Sequence, residues 1–418
     1  MKFDNQLRHA ANIISAYKGE IPLHAWLKDF FRANKQMGSR DRKMLSNLVY
    51  GFYRLGKAVM DMPVDDRLLL GLFLCNESPG ELLEYFRPQW HAQSGRPVEE
   101  KVAVARASGI GLAAEDIFPF KDLLSAGIDH HSFCLSFLRQ PDLFLRIRPG
   151  HESEVLQKLT SASPALNYEF IAPFSLRLPN GFKVEDYFTP DKEVVIQDYS
   201  SQRIADFLRV PGPPPRSFWD ACAASGGKSI LAVDCYPQMD ITVSDVRESI
   251  LHNLRQRFRQ AGIKKYNAFV ADLTTPAAGP SAADPTARSS AASIPPSTAP
   301  ASGQAGSAFP ETFDLVLADV PCSGSGTWSR TPEELYFFDP RTIDRYSGMQ
   351  HKIMANVVPR LAGGGRLVYS TCSVFKKENE EMAALLRDQF GLQPEKQDTI
   401  KGYEQKADTM FAARFAQP

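Results

Sequence analysis

Between residues 201 and 370 the chain alternates helix-sized and strand-sized segments, and this rhythm restricts its fold more than any other feature. Strand-like 217–220, 241–245, 268–272, 313–319 and 366–370 are interleaved with helix-like 201–208, 229–234, 249–261 and 344–361. Parallel strands need long crossovers, and each crossover helix buries its apolar stripe on a sheet face, so the pattern predicts an α/β fold with helices on both sides of a parallel sheet. Residues 275–308 break the rhythm, being almost wholly Ala, Pro, Ser, Gly and Thr. That composition buries too little apolar surface to offset chain entropy, so a disordered surface insertion between two strands is expected.

Upstream the period changes. Leu7, Ala10, Ile14 and Tyr17, then Leu23, Trp26, Leu27, Phe30 and Phe31, recur at helical spacing, and Ser39 is placed to cap the helix holding Leu45, Leu48, Val49 and Phe52. Further helical stretches run to about Gln140. At Pro141 the character shifts to a strand (143–148), a helix (152–159) and a second strand (176–178). The expected organisation is an all-α domain over 1–140, a small α+β unit over 141–190 and the α/β domain over 191–418.

Length and charge narrow the class. With 418 residues, 43% of them hydrophobic, the chain has enough material for two or three cores. The longest apolar run, 68–75, falls far short of the roughly 20 residues of a membrane span, and residues 1–30 lack the plan of a signal peptide, so a soluble cytoplasmic protein is expected. Six cysteines (75, 134, 222, 235, 322 and 372) form no CxxC pair, which argues for free thiols and against a disulfide framework or a metal site. Net charge is zero, yet residues 1–60 hold eleven Lys or Arg against four Asp or Glu.

Strand 217–220 runs directly into Ala221-Cys222-Ala223-Ala224-Ser225-Gly226-Gly227-Lys228 and then a helix, an arrangement that brings backbone amides and a helix N-terminus to a ligand. The loop is neither GxGxxG nor a P-loop. The next strand ends in Asp245, about 20 positions beyond the loop, where doubly wound folds place a carboxylate on ribose hydroxyls. Asp272 ends a third strand. Together the three strand ends point to an adenosine-containing ligand, although either Asp taken alone reads equally as a helix cap.

The segments Asp220-Ala-Cys-Ala-Ala-Ser-Gly-Gly-Lys, Asp319-Val-Pro-Cys-Ser-Gly-Ser-Gly and Tyr369-Ser-Thr-Cys-Ser, in that order, resemble the signature motifs of the RNA cytosine-5 methyltransferases. The resemblance extends from about Pro141 to the C-terminal Met410-Phe-Ala-Ala-Arg-Phe and includes Val195-Ile-Gln-Asp-Tyr-Ser-Ser-Gln and Glu378-Asn-Glu. Gly38-Ser-Arg-Asp-Arg and Leu48-Val-Tyr-Gly add a resemblance to the NusB-like helical domain of the RsmB-type bacterial members. Two departures stand out. Ser225 occupies a position where the family usually has Pro, which should loosen the loop slightly, and the insertion is not a family requirement.

The resemblance implies a Rossmann-like seven-stranded methyltransferase sheet, S-adenosylmethionine as cofactor and RNA as partner, with no metal and no membrane; a monomer is expected. The cofactor would be held by Cys222, Ala223, Ala224, Ser225, Gly226, Gly227, Lys228, Asp245, Asp272 and Asp319. Carbon 5 of cytosine is a poor nucleophile, and a thiolate added at carbon 6 builds electron density beside it before leaving again. The resemblance assigns that attack to Cys372 and the release of product to Cys322, with Asp319 at the cytosine ring nitrogen and amino group and Lys228 against cofactor or base. DNA cytosine methyltransferases use the Pro-Cys cysteine alone, so the second motif favours RNA. The other cysteines read as inert core residues, and Cys222 as packed in the loop.

Arg32, Lys35, Arg40, Arg42, Lys43 and Arg54, interleaved with Trp26, Phe30, Phe31 and Tyr53, are candidates for RNA contact, the alternative being a solvated basic face over an aromatic core. Arg146, Arg148 and Arg177 are candidates for a second RNA-guiding surface. The target base must be unstacked, which favours loops or unfolded RNA. Small-subunit ribosomal RNA before assembly is the expected substrate. A transfer-RNA enzyme of the same chemistry is the first alternative, and an inactive RNA-binding assembly factor the second.

Overall fold

The computed structural model describes residues 2–162, 166–275 and 312–418. The insertion expected over 275–308 lies, apart from Thr275, outside the described residues. Two compact units are present: Met1–Pro141 with Ser325–Pro340 and Tyr403–Asp408, and Asp142–Gly324 with Arg341–Gly402 and Thr409–Pro418.

The first unit is helical. Helices Lys2–Ala16, Leu23–Ala33, Ser39–Arg54 and Val64–Cys75 supply most of its core, and the last is buried continuously from Arg67 to Leu74. Helices Ser39–Arg54 and Val64–Cys75 touch backbone to backbone: a Cβ on Gly71 would lie 2.3 Å from the Gly51 carbonyl oxygen, so a side chain there would force the helices apart. Ser39 is not the cap expected of it; it is the first helical residue and Gly38 holds the cap position. Ile13, not Ile14, fills the buried position of the first helix. The segment Ser325–Pro340 belongs to this unit. Its Glu333 carboxylate accepts the Leu23 amide at 3.0 Å, satisfying an otherwise orphan donor at the start of helix Leu23–Ala33, and Lys57 Nζ donates to the Tyr336 carbonyl at 2.7 Å.

The second unit contains two sheets. In the smaller, β1 (Leu143–Ile147), β2 (Glu169–Ala172), β3 (Ser175–Leu178) and β4 (Val194–Ile196) pair antiparallel in the order β2-β3-β1-β4, with helix Glu152–Ser161 burying Val155 and Leu159 against Leu145, Leu176 and Val194. The larger is built from β5 (Ser217–Asp220), β6 (Asp240–Asp245), β7 (Asn267–Val270), β8 (Phe313–Asp319), β9 (Leu361–Thr371), β10 (Gln393–Ile400) and β11 (Met410–Ala416). Among the described residues its order is β10-β11-β9-β8-β5-β6-β7. The strands from β9 to β7 in that order run parallel, while β11 is antiparallel to both β9 and β10. This is the expected Rossmann-like seven-stranded sheet.

Side-chain alternation explains the layers. Phe218, Val243, Leu315, Leu317 and Val368 face Leu251, Leu254 and Phe258 of helix Glu248–Gln260 together with Ile230 of helix Gly227–Cys235. Trp219, Val316, Ala318, Leu367 and Tyr369 face the other way, onto Ile353, Met354 and Val357 of helix Arg341–Val357 and Met382 and Leu386 of helix Glu380–Asp388. Each fully buried large apolar side chain of this kind contributes about 1.5–3 kcal/mol. The strand order reverses between β5 and β8, which opens the crevice where such sheets bind ligands, at the carboxyl ends of the strands. No helix among the described residues is long and apolar enough to cross a membrane.

Candidate active site

The loop after β5 is held in a conformation that needs its small residues. Ala224 (φ +45°) and Gly226 (φ +84°) both adopt left-handed backbone, and a Cβ on Gly226 would come within 2.9 Å of Leu254 Cγ. The Ala224 amide donates to Asp245 Oδ2 at 3.0 Å, and the Ala223 amide to the Ser244 carbonyl at 2.8 Å, so the loop is tied to the end of β6. Asp245 is buried, whereas the next residue, Val246, is 57% exposed. Asp272 lies two residues past the end of β7 and is exposed, its Oδ1 accepting from the Thr274 amide and hydroxyl at 2.9 and 2.6 Å.

Ser225 does not loosen the loop. Its carbonyl and its hydroxyl both accept from Arg257 Nη1, at 3.2 and 3.1 Å, and Arg257 is itself gripped by Asp191 through two bonds of 2.9 and 2.7 Å. The hydroxyl thus provides an anchor that a proline side chain would lack. Asp220, at the end of β5, was not among the candidates. It is buried, accepts Ser229 Oγ at 2.6 Å on one oxygen, and has no partner for the other among the described residues. Burial pushes its carboxyl up to about 7, helped by the nearby charge of Asp319 and opposed by the Ser229 bond and by Lys228.

Across the crevice, Lys228 Nζ donates to Asp319 Oδ2 at 2.7 Å, and Ser370 Oγ from β9 donates to Asp319 Oδ1 at 2.7 Å. Burial would lower the Lys228 ammonium, but Asp319 more than offsets it and the net shift is upward. The expected cysteines meet here. Cys322 follows β8, Cys372 follows β9, and their sulfurs stand 3.3 Å apart, both partly exposed. The bond to Cys372 is the first cause holding the Cys322 thiol well above its ordinary value, followed by burial and by the charges of Cys372 and Glu378. The structure therefore brings Lys228, Asp319, Cys322 and Cys372 together, beside the loop 222–228.

A polar network supports the two cysteine turns. Thr371 Oγ1 donates to Asn379 Oδ1 at 2.6 Å, Asn379 Nδ2 donates to the Ser373 carbonyl at 2.9 Å, and Tyr369 donates to the Glu378 carbonyl at 2.7 Å. In the sequence these residues stand out only as the Tyr369-Ser-Thr-Cys-Ser and Glu378-Asn-Glu segments of the resemblance. Of the remaining cysteines Cys134 is buried and Cys75, Cys222 and Cys235 are partly buried; burial raises Cys75 to about 11 and Cys134 to about 12, and it also raises Cys222 and Cys235.

Several basic candidates are engaged within the protein. Arg54 is buried and donates to the Phe137 and Arg139 carbonyls, while Tyr53 packs edge-on against Tyr17 and Tyr336. Arg146 and Arg148 both pair with buried Asp234 on helix Gly227–Cys235, and Arg148 also caps the Ala261 carbonyl at 2.7 Å. Arg177 pairs with Glu169 at 3.2 Å. Isolated sequence position does not distinguish such arginines from surface ones. Arg32, Lys35, Arg40 and Lys43 are exposed, and Trp26 stacks on Phe30 at 5.3 Å.

Residues 213–415 match the family model for 16S rRNA methyltransferase RsmB/F. Ribosomal RNA small subunit methyltransferase B of Xanthomonas campestris pv. campestris is 31% identical over 188 residues, which cover 45% of this chain and 36% of that protein. The protein of the same name in Yersinia enterocolitica is 25% identical over 389 residues, covering 84% of this chain and 82% of its own. The chain spans about a third to a half of the length of the first curated relatives it matches. NSun6 from Pyrococcus horikoshii, solved with SFG, shares the fold with a TM-score of 0.51 at 13% identity, over 73% of this chain and 96% of that one. The matched residues 213–415 carry the glycine loop, the Lys228–Asp319 pair and both cysteines, and over this stretch the chain is similar to the RsmB/F methyltransferases.

Proposed function

We propose that this protein is an S-adenosylmethionine-dependent RNA cytosine-5 methyltransferase, acting on small-subunit ribosomal RNA through a covalent bond between Cys372 and carbon 6 of the target base. The observation that carries this reading is the pair of thiols 3.3 Å apart at the ends of neighbouring strands, beside a carboxylate paired with a lysine at the strand-order reversal. The family match and the names of the relatives support methylation of ribosomal RNA.

The residues present fit the cofactor. The left-handed turn through Ala224 and Gly226 opens the backbone at a helix N-terminus, buried Asp245 is suited to ribose hydroxyls, exposed Val246 offers an apolar surface to a base, and the unpartnered oxygen of Asp220 can accept from an ammonium. Pyrococcus horikoshii NSun6, of the same fold, was solved with SFG, an analogue of S-adenosylmethionine. When bound, this cofactor supplies an electrophilic methyl group.

The chain's own residues divide the work. The Cys372 thiolate forms the S–C6 bond, and the displaced π pair becomes density at carbon 5. Asp319, fixed by Lys228 and Ser370, faces the ring nitrogen and amino group, where a carboxyl that shares a proton with the ring nitrogen keeps negative charge from building up as the addition proceeds. Cys322, its sulfur 3.3 Å from that of Cys372, loses its own proton to solvent and as a thiolate takes the carbon-5 proton while the S–C6 bond breaks. Exposed Arg32, Lys35, Arg40 and Lys43 of the 1–140 NusB-like domain bind phosphates.

Two variants test the assignment. With RNA and cofactor, Cys372→Ala abolishes transfer, and Cys322→Ala accumulates a covalent protein–RNA adduct on a denaturing gel. The reverse pattern would show the roles exchanged, and loss of neither function would sink the adduct mechanism.

A further inference from the structure

The turns carrying Cys322 and Cys372 leave separate strands, and one side chain joins them. Glu378 is fully buried. Its Oε2 accepts the amide of Ser323, the residue after Cys322, at 2.8 Å, and its Oε1 accepts the hydroxyl of Ser373, the residue after Cys372, at 2.8 Å. Gln350, on helix Arg341–Val357, donates to the same Oε2 at 3.2 Å and to the carbonyl of Pro321, the residue before Cys322, at 3.0 Å. Ser323 Oγ also donates to Ser373 Oγ at 3.1 Å. Both turns therefore close on one carboxylate, with Gln350 bracing the Cys322 side.

A buried carboxylate is a poor device for stability alone, because well-packed apolar groups of similar volume do as well or better. What this one offers is registration, since it ties the Ser323 amide and the Ser373 hydroxyl to a single side chain. We propose that Glu378 is a positioning residue for product release, acting through Ser323 and Ser373 to keep the Cys322 sulfur beside the Cys372 sulfur. The inference rests on the cysteine roles given above. In the step concerned, the C5–H bond breaks with its proton passing to Cys322, its electron pair re-forms the C5=C6 bond, and the S–C6 pair departs on Cys372. Among the described residues, no bond to the Glu378 carboxylate comes from the loop 222–228.

The test compares wild type, Cys322→Ala, Glu378→Gln and Gln350→Ala, each incubated with unmodified ribosomal RNA and S-adenosylmethionine, then assayed for covalent adduct, turnover and cofactor affinity. Glu378→Gln and Gln350→Ala are expected to accumulate adduct as Cys322→Ala does and to turn over about tenfold or more slowly, with cofactor affinity unchanged. Should Glu378→Gln fail to fold, Gln350→Ala reads the same contact from outside both turns. Adduct in Cys322→Ala but in neither of the other two would overturn the inference alone, as would parallel loss of turnover and cofactor affinity without adduct. No adduct in Cys322→Ala would overturn the cysteine roles, and the inference with them.

Discussion

Lys228 Nζ lies 2.7 Å from Asp319 Oδ2, pairing the first turn of the helix after β5 with the end of β8. The bond crosses the point where strand order reverses, so it orients the carboxylate at the head of the crevice. Asp319→Asn keeps the shape but removes the charge; methyl transfer should fall about 10²–10⁴-fold, the usual range for a positioned acid or base. Lys228→Met leaves Asp319 with Ser370 alone and should lower single-turnover rates less. Equal rates in wild type and Asp319→Asn would remove Asp319 from the chemistry.

Asp220 makes stability depend on pH. Its carboxyl is pushed up to about 7 by burial, against about 3.9 in an unfolded chain. The folded protein therefore holds this proton more tightly than the unfolded one, so the contribution is full below about pH 4 and is lost progressively as pH rises to about 7. Asp220→Asn should gain on wild type across that window by up to about 4 kcal/mol, reaching a plateau above pH 7. Urea unfolding of both proteins from pH 4 to 8 measures it. A difference that does not change with pH would contradict the assignment.

The Asp191–Arg257–Ser225 chain anchors the cofactor loop from outside. Arg257→Ala should weaken S-adenosylmethionine binding by about 1.5–3 kcal/mol, as for hydrogen bonds to a charged group, and Ser225→Ala by less, since the Ser225 carbonyl still accepts. Calorimetric titration of each variant checks this. Unchanged affinity in Arg257→Ala would mean that the loop holds its shape unaided.

The strands with apolar alternation were legible because burial on a sheet face writes itself into the residues: β8 matched its expected bounds, and Asp220, Asp245 and Asp319 end their strands as read. β10, Gln393–Ile400, was missed. Its residues Gln-Pro-Glu-Lys-Gln-Asp are exposed, as suits an edge strand that must not recruit another chain, and they carry no strand signature. Nor does any local pattern show that Glu333 caps a helix more than 300 residues upstream. In the site, the two cysteines, Asp319 and Lys228 were readable from motifs. Glu378 and Arg257 were not assigned roles, because a charged residue reads as solvated until its buried partners are known. The same ambiguity misplaced Arg54, Arg146 and Arg148, each of which spends its charge inside the protein.

The most direct test is methyl transfer itself. The protein is incubated with S-adenosylmethionine labelled in the methyl group and, separately, with unmodified small-subunit ribosomal RNA and unmodified transfer RNA, and the labelled nucleotide is then mapped. The account predicts label on carbon 5 of cytosine in the ribosomal RNA, lost in Cys372→Ala. Label on another atom, label confined to transfer RNA, or no label in either would contradict it.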